Sequence, residues 1–307
     1  MAGDTRIPIT QLPVAGTVSK TDQLLVQGNS TQRATLAKIL SDLSIVNPDM
    51  AQDTMLRIMV PNGAGAHNAT FRGKNLGGSL TSAQAAQISA GTFQDLYLGD
   101  YWSIGGVNYL IAGFDYWLNT GDTPCTKHHV AVIPQNHLYT AAMNETNTTE
   151  GGYVGSQMYK TGLDQAKQTF ANAFGAAHIL NHREWLVNAV SNGLPSGGAW
   201  FDSTIELPNE NMMYGSHIFA PVSDGSTIPQ NYTVCKSQLP LFRLAPQYSF
   251  TRSYWCWLRD VVSAAYFGNA DNALAMPPTP TPPMSAACVR SGVSVNPESG
   301  AACPRRE

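Results

Sequence analysis

The sequence predicts an α+β fold, and three observations predict it. Strand-like runs cluster before and after one strongly amphipathic stretch, without the strand–helix alternation that builds a parallel βαβ sheet. That stretch, Leu163–Ala177, puts Ala166, Phe170, Ala173 and Phe174 on one helical face. Charged residues are 13% of the 307, about half the ~25% of an ordinary soluble domain, and Gly, Pro, Asn, Ser and Thr take their place. Such a composition suits short strands joined by long irregular loops.

Residues 1–43 form a small module, nearly free of catalytic residue types and too short to carry a core of its own. Gln23–Gln27 reads as a strand, Gly28-Asn29-Ser30 as a turn and Thr31–Ala34 as a second strand-like run. Thr35 reads as the N-cap of a short helix. A module of this size must dock on something to stay folded. Its apolar positions Ile9, Leu12, Leu24, Leu25, Val26, Leu36 and Ile39 are the candidate docking residues. The start, Met1–Arg6, lacks the apolar core of a signal peptide, and no apolar run reaches membrane-spanning length. The expectation is a chain made, and soluble, in a cytosol.

Residues 44–92 read as a connector. Leu56–Val60 is expected to be a short strand, and the glycines between 62 and 78 flexible punctuation. A helix over Ser82–Ser89 starts at a Thr81 or Ser82 cap and stops at Gly91. The main domain spans 93–268. It opens with a hairpin, Tyr101–Ile104 turning at Gly105-Gly106 into Val107–Phe114. His129–Pro134 follows as a buried strand, then the 163–177 helix. A second helix is expected from Asn181 to about Val190, because Asn181-His-Arg-Glu184 has capping-box spacing. Trp200–Leu207, Met212–Phe219, Leu241–Leu244, Tyr254–Leu258 and Val261–Phe267 read as strands. Residues 269–307, with the run Pro277–Pro283, predict an extended, disordered tail.

Function classes narrow by exclusion. A net charge of −3 and no basic patch argue against nucleic acid. Cys125, Cys235, Cys256, Cys288 and Cys303 lack a Cys-x-x-Cys pair, which argues for reduced thiols over a zinc site or disulfide scaffold. His178 and His182 have helical-ligand spacing but flank the expected cap Asn181, so no metal is expected there. Of His128 and His129, one is expected to point inward and be hydrogen-bonded. No P-loop or Gly-x-Ser-x-Gly occurs. Asp115, Asp122, Asp202, Glu206 and Glu210 lie near aromatics as a glycosidase would want, but spacing alone places no two at a catalytic separation. The reading is a binding protein, not an enzyme, without cofactor. Trp102, Tyr116, Trp117, Trp200, Trp255 and Trp257 are the candidate ligand-contact residues, since flat rings supply large rigid area. Arg259-Asp260 reads as a structural polar anchor at a strand turn.

Two resemblances extend this. Pro8-Ile-Thr-Gln-Leu-Pro13, Asp22-Gln-Leu-Leu-Val-Gln27 and Arg33-Ala-Thr-Leu-Ala-Lys-Ile-Leu40 resemble the opening segment of bacteriophage tail-fibre and head-fibre proteins. Gly91-Thr-Phe-Gln-Asp-Leu-Tyr-Leu-Gly-Asp-Tyr-Trp102, Ile111–Asp122, Glu150–Ser156, Ala177–Glu184, Trp200–Glu206, Ser237–Leu244 and Trp257–Ala265 are similar to a domain widespread in phages and prophages of gut bacteria. That domain is similar to the C-type-lectin-like fold, with two helices flanking a small sheet, long loops and closing strands. The resemblances imply a virion protein, a homotrimer, attached to capsid, neck or tail proteins through residues 1–43. Its lectin-like domain would face a bacterial surface glycan or protein. A non-binding capsid or collar decoration protein, and a cell-wall- or polysaccharide-degrading tail enzyme, are the alternatives. The chain departs from the pattern after Gly268, where the Pro-Thr run intervenes and Gly292-Val293 is followed by Ser294-Val-Asn-Pro297. The closing strand is therefore expected to be missing or poorly formed.

Overall fold

A computed structural model describes residues 23–27, 31–35, 48–221, 229, 237–249, 256–270, 287–289 and 292–295. The chain divides into two compact units, Met1–Met59 and a second that begins at Val60.

In the first unit, β1 (Gln23–Gln27) and β2 (Thr31–Thr35) pair antiparallel, with Gln23 opposite Thr35 and Gln27 opposite Thr31. Leu24, Leu25 and Val26 lie on β1. Ile9, Leu12, Leu36 and Ile39, and the helix expected after Thr35, fall outside the described residues. The strand expected at Leu56–Val60 is instead the end of helix α1 (Pro48–Met59). Pro at its first position and the straight-chain Met, Leu and Arg favour helix, and only Ile58 in the 56–59 stretch is β-branched. Met55, Ile58 and Met59, at i, i+3 and i+4, are 59%, 80% and 70% exposed and form an apolar stripe.

The second unit is α+β. Its elements run α2 (Ala64–His67), β3 (Asn75–Gly77), α3 (Ser82–Ser89), β4 (Tyr101–Ile104), β5 (Val107–Phe114), β6 (Val130–Pro134), β7 (Tyr139–Ala141), α4 (Gly152–Gly155), a π-turn at Met158–Gly162, and α5 (Asp164–Phe174). Then come β8 (His182–Ser191), β9 (Leu194–Ser203), β10 (Ile205–Glu206), α6 (Glu210–Tyr214), α7 (Pro240–Leu244), β11 (Trp257–Ser263), β12 (Tyr266–Asn269), β13 (Ala287–Val289) and β14 (Gly292–Val295). A six-stranded sheet has the order β10-β14-β6-β5-β4-β3, antiparallel except for β3 beside β4. β8–β9, β11–β12 and β7–β13 are separate two-stranded pairs.

The sheet is buried on both faces. Tyr109, Ile111, Val130 and Val132 face one core, and Leu110, Ala112, Ala131 and Ile133 the other. A bulge between Ile111 and Gly113 returns Phe114 to the first face. In that core Trp102 meets Phe174 of α5 edge-on at 5.7 Å and donates its Nε1–H to Gln84 of α3 at 3.1 Å, so both helices seat on one indole. Of the two expected caps of α3, Thr81 is the one used, and it forms a capping box: Thr81 Oγ1 accepts from Gln84 N, and Gln84 Oε1 accepts from Thr81 N.

Five expectations are corrected. Residues 60–92 are part of the larger unit and not a connector. Asn68 bonds both ways to the Phe114 backbone at 2.8 Å, His67 is buried beneath Leu96, and Arg72 pairs with buried Asp100 at 2.6 Å. The second helix is strand β8. His182-Arg-Glu-Trp-Leu alternates inward and outward, and Asn192-Gly193, both at positive φ, turn it back into β9 as a type I′ hairpin. Met212–Phe219 and Leu241–Leu244 are not strands. Asn209 caps α6 by accepting from Met212 N, and Pro240 opens α7. The expected tail carries β13 and β14. β14 sits between β6 and β10, giving every-residue-buried β6 the second ladder its backbone requires, so the closing strand is present. Cys125 is buried and not disulfide-bonded, whereas Cys256 is in a disulfide, so the expectation of reduced thiols fails there. Proximity in space, which spacing does not reveal, decides disulfides.

Replacing Trp102 by Ala should destabilise the chain by about 3–5 kcal/mol, because it removes a fully buried indole on which two helices rest. Urea denaturation checks this; a loss under 1 kcal/mol would contradict the packing described.

Candidate functional site

Alternation along β8 turns His182, Glu184 and Leu186 inward and Arg183 and Trp185 outward. The inward side forms a buried polar centre. The Glu184 carboxylate accepts from Trp117 Nε1 at 2.6 Å, His182 Nε2 at 3.2 Å and Arg259 Nη2 at 3.2 Å. Glu184 and Arg259 are each 1% exposed. The neighbouring Glu206 carboxylate accepts from Tyr153 Oη and Ser203 Oγ, both at 2.7 Å, and burial pushes its carboxyl above the usual carboxylate range. Asp260 Oδ2 accepts from Glu210 N at 2.7 Å, and the Glu210 carboxylate in turn takes the backbone N–H groups of Ile218, Phe219 and Ala220. A cavity of about 20 Å³ lies against Trp117, His182, Glu184, Glu206 and Arg259, room for about one water molecule. The expected Arg259-Asp260 anchor therefore exists, inside β11 and not at a turn.

The inward histidine is His129. Its Nδ1 bonds to Lys127 O at 2.8 Å and its Nε2 accepts from Trp117 N at 3.0 Å, which defines a neutral ring with the proton on Nδ1. Burial pushes its pKa down to about 4. His128 pairs instead with Asp115 at 2.8 Å. His178 bonds to Phe174 O, and among the described residues no three His, Cys, Asp or Glu converge as a metal-ligand set.

The sequence-singled carboxylates all have structural partners. Asp115 holds His128 and the His129 backbone. Asp122 and Asp202 share Arg183: Nε and Nη2 donate to Asp122 at 2.7 and 3.0 Å, and Nη1 to Asp202 at 3.0 Å. Those bonds hold the Asp122 carboxyl below its ordinary range. Glu206 and Glu210 lie in the buried centre described above.

The candidate aromatics separate into two groups. Trp102, Trp117 and Trp257 are core side chains, 0%, 4% and 1% exposed, and Trp257 Nε1 donates to Ala141 O at 2.8 Å. They present no ring to a ligand: strand alternation aims Trp102 and Trp257 into the core, and Trp117 enters the second core from the turn after β5. Trp255 falls outside the described residues. Tyr116 is half-buried, with its hydroxyl donating to Ser237 O at 2.6 Å. Trp200 is also half-buried and stands directly opposite Trp185 on β8, ring centroids 5.5 Å apart at 76°. Sequence reasoning missed Trp185, Arg183 and Glu184 because capping-box spacing suggested a helix. The signal that would have found them is Asn192-Gly193, an I′ hairpin dipeptide flanked by alternating residues. No protein-family model, curated protein or solved structure matches this chain.

His129 generates a pH dependence with a defined sign. Its folded pKa, about 4, lies below the ordinary 6.5, so the unfolded chain binds more protons between those values. Stability should fall as pH drops from about 6.5 toward 4, by roughly 3 kcal/mol from this group. Glu206 works in the opposite sense, since a raised carboxyl loses its contribution as pH rises through its folded value. Comparing urea denaturation of wild type and His129→Gln across that range isolates the histidine: the variant should show the shallower acid-side slope, and equal slopes would contradict the assignment.

Proposed function

We propose that this chain is a structural appendage protein of a bacteriophage particle. Residues 1–43 attach it to other virion proteins, and the larger unit, organised as a C-type-lectin-like domain, is displayed for adhesion to a bacterial or mucosal surface. The observation that carries this reading is the division of the chain at Met59/Val60: a small N-terminal unit is joined to a separately cored body. The fibre-like phrases through Leu40 lie in the first part and the lectin-like phrases in the second. In the larger unit Asp115, Asp122, Asp202, Glu206 and Glu210 are each engaged in ion pairs or hydrogen bonds within the fold, an arrangement that suits a rigid scaffold.

Self-association belongs to the same reading. The exposed Met55–Ile58–Met59 stripe on α1 is what a second and third copy would cover, giving a homotrimer and supplying burial that the N-terminal unit lacks by itself. Many copies on one particle would then add weak contacts into firm attachment through avidity.

Cryo-electron microscopy of purified particles with antibody against residues 93–267 tests the display reading: label on fibre tips or head projections supports it, and unlabelled intact particles contradict it. For assembly, light scattering on the purified chain should give a trimer, and Met55→Glu with Ile58→Glu should give monomers of unchanged circular dichroism. A monomeric wild type would contradict the assignment of the stripe.

A further inference from the structure

The outward face of the β8–β9 hairpin carries a second arrangement that the buried centre does not use. In register along it stand Arg183 opposite Asp202, then Trp185 opposite Trp200; the next residue in the series, Val187, is buried in the first core. The two indoles pack edge to face, both half-buried. The Trp185 ring lies so close over Gly198 that a Cβ there would sit 2.5 Å from its Nε1. That Nε1–H is buried without a partner, a cost that a Phe or Leu in the same place would not carry. What the indole provides instead is a large flat ring.

Beside the rings lies a fixed polar strip. Arg183 is 19% exposed and uses its Nε, Nη1 and Nη2 to hold the carboxylates of Asp122 and Asp202, which are 39% and 42% exposed. The guanidinium thus orients two acceptor groups beside an aromatic pair. The neighbouring outward positions are charged or bare: Arg183 and Asp202 on one side, Gly197 and Gly198 on the other. The exposed part of the pair is thereby bounded along the hairpin, while the buried part of both rings packs against the second core.

We infer that the Trp185–Trp200 pair with the Asp122–Arg183–Asp202 strip is a saccharide-binding platform, one that takes neutral or N-acetylated sugar units. The apolar C–H face of a pyranose lies against an indole, and its hydroxyls donate to carboxylates already locked in place. Two carboxylates against one guanidinium leave the strip net negative, so sialylated or uronate sugars are disfavoured by like charge. This assignment rests on the reading of the larger unit as an adhesion domain and names the ligand class for it.

The test uses the full chain with chitotetraose, cellotetraose, lacto-N-tetraose and, as the anionic comparator, sialyllactose, read by tryptophan fluorescence and calorimetry. At least one neutral or N-acetylated tetrasaccharide should bind, and more tightly than sialyllactose. Trp200→Leu should weaken that binding about tenfold or more. Asp202→Asn, at an exposed strand end, should weaken it measurably while leaving the melting temperature unchanged, and it carries the test if Trp200→Leu does not fold. No binding by any of the three, or unchanged affinity in the folded variants, overturns the platform. Whole-cell adhesion separates the two readings. A Trp200→Leu or Asp202→Asn chain that still adheres to host cells as wild type does overturns the platform and leaves adhesion standing. Saccharide binding that depends on Trp200, in a chain absent from particles, supports the platform and overturns the virion reading.

Discussion

The larger unit depends on one interaction, the buried pair of Glu184 and Arg259. Taking both charges out of water costs several kcal/mol per ion, and the loss is offset only if every lone pair and N–H finds good company. Glu184 finds it in the Trp117 indole N–H, His182 and the guanidinium. The pair matters because of what it joins. Glu184 lies on the β8–β9 hairpin, Arg259 on β11–β12, and these are separate two-stranded sheets. Trp117 comes from the turn that leaves the six-stranded sheet at β5. Three sheets without a shared ladder therefore meet at one carboxylate. Asp260, one residue on, extends the join to α6 through the Glu210 backbone, and Arg259 N donates to Pro208 O.

This centre also gives the functional reading its rigidity. Alternation along β8 means that the residues anchored inward, His182 and Glu184, fix the orientation of those turned outward, Arg183 and Trp185. A binding surface on a strand held from beneath loses little conformational freedom when a ligand arrives. The same logic applies at Glu210, whose carboxylate gathers three successive backbone N–H groups and sets the course of the chain after α6.

Much of the sheet was legible in the sequence, because β5 and β6 are nearly continuous apolar runs bounded by turn signals, and α5 shows a clean 3.6-residue period. The errors have physical causes. Asn181-His-Arg-Glu184 satisfies capping-box spacing, yet the Asn192-Gly193 turn and cross-strand Trp–Trp and Arg–Asp pairs overrule it. Residues 60–92 are polar and glycine-rich and read as spacer; only tertiary contacts, Asn68 to Phe114 and Arg72 to Asp100, make them part of the body. The Pro-Thr run suggested that nothing after it pairs, although β14 is inserted beside β6 from far along the chain. Of the site, the aromatic types were legible. Which of them face outward was not, since Trp102, Trp117 and Trp257 differ from Trp200 only in the register of their strands and turns.

The most direct test is a double-mutant cycle on the central pair, with Glu184→Leu and Arg259→Met measured by urea denaturation. If the two charges hold each other and the three sheets, each single change should cost about 3–5 kcal/mol and the double change far less than their sum. Single losses near zero, or strictly additive ones, would show that the sheets are held together elsewhere and would contradict the account.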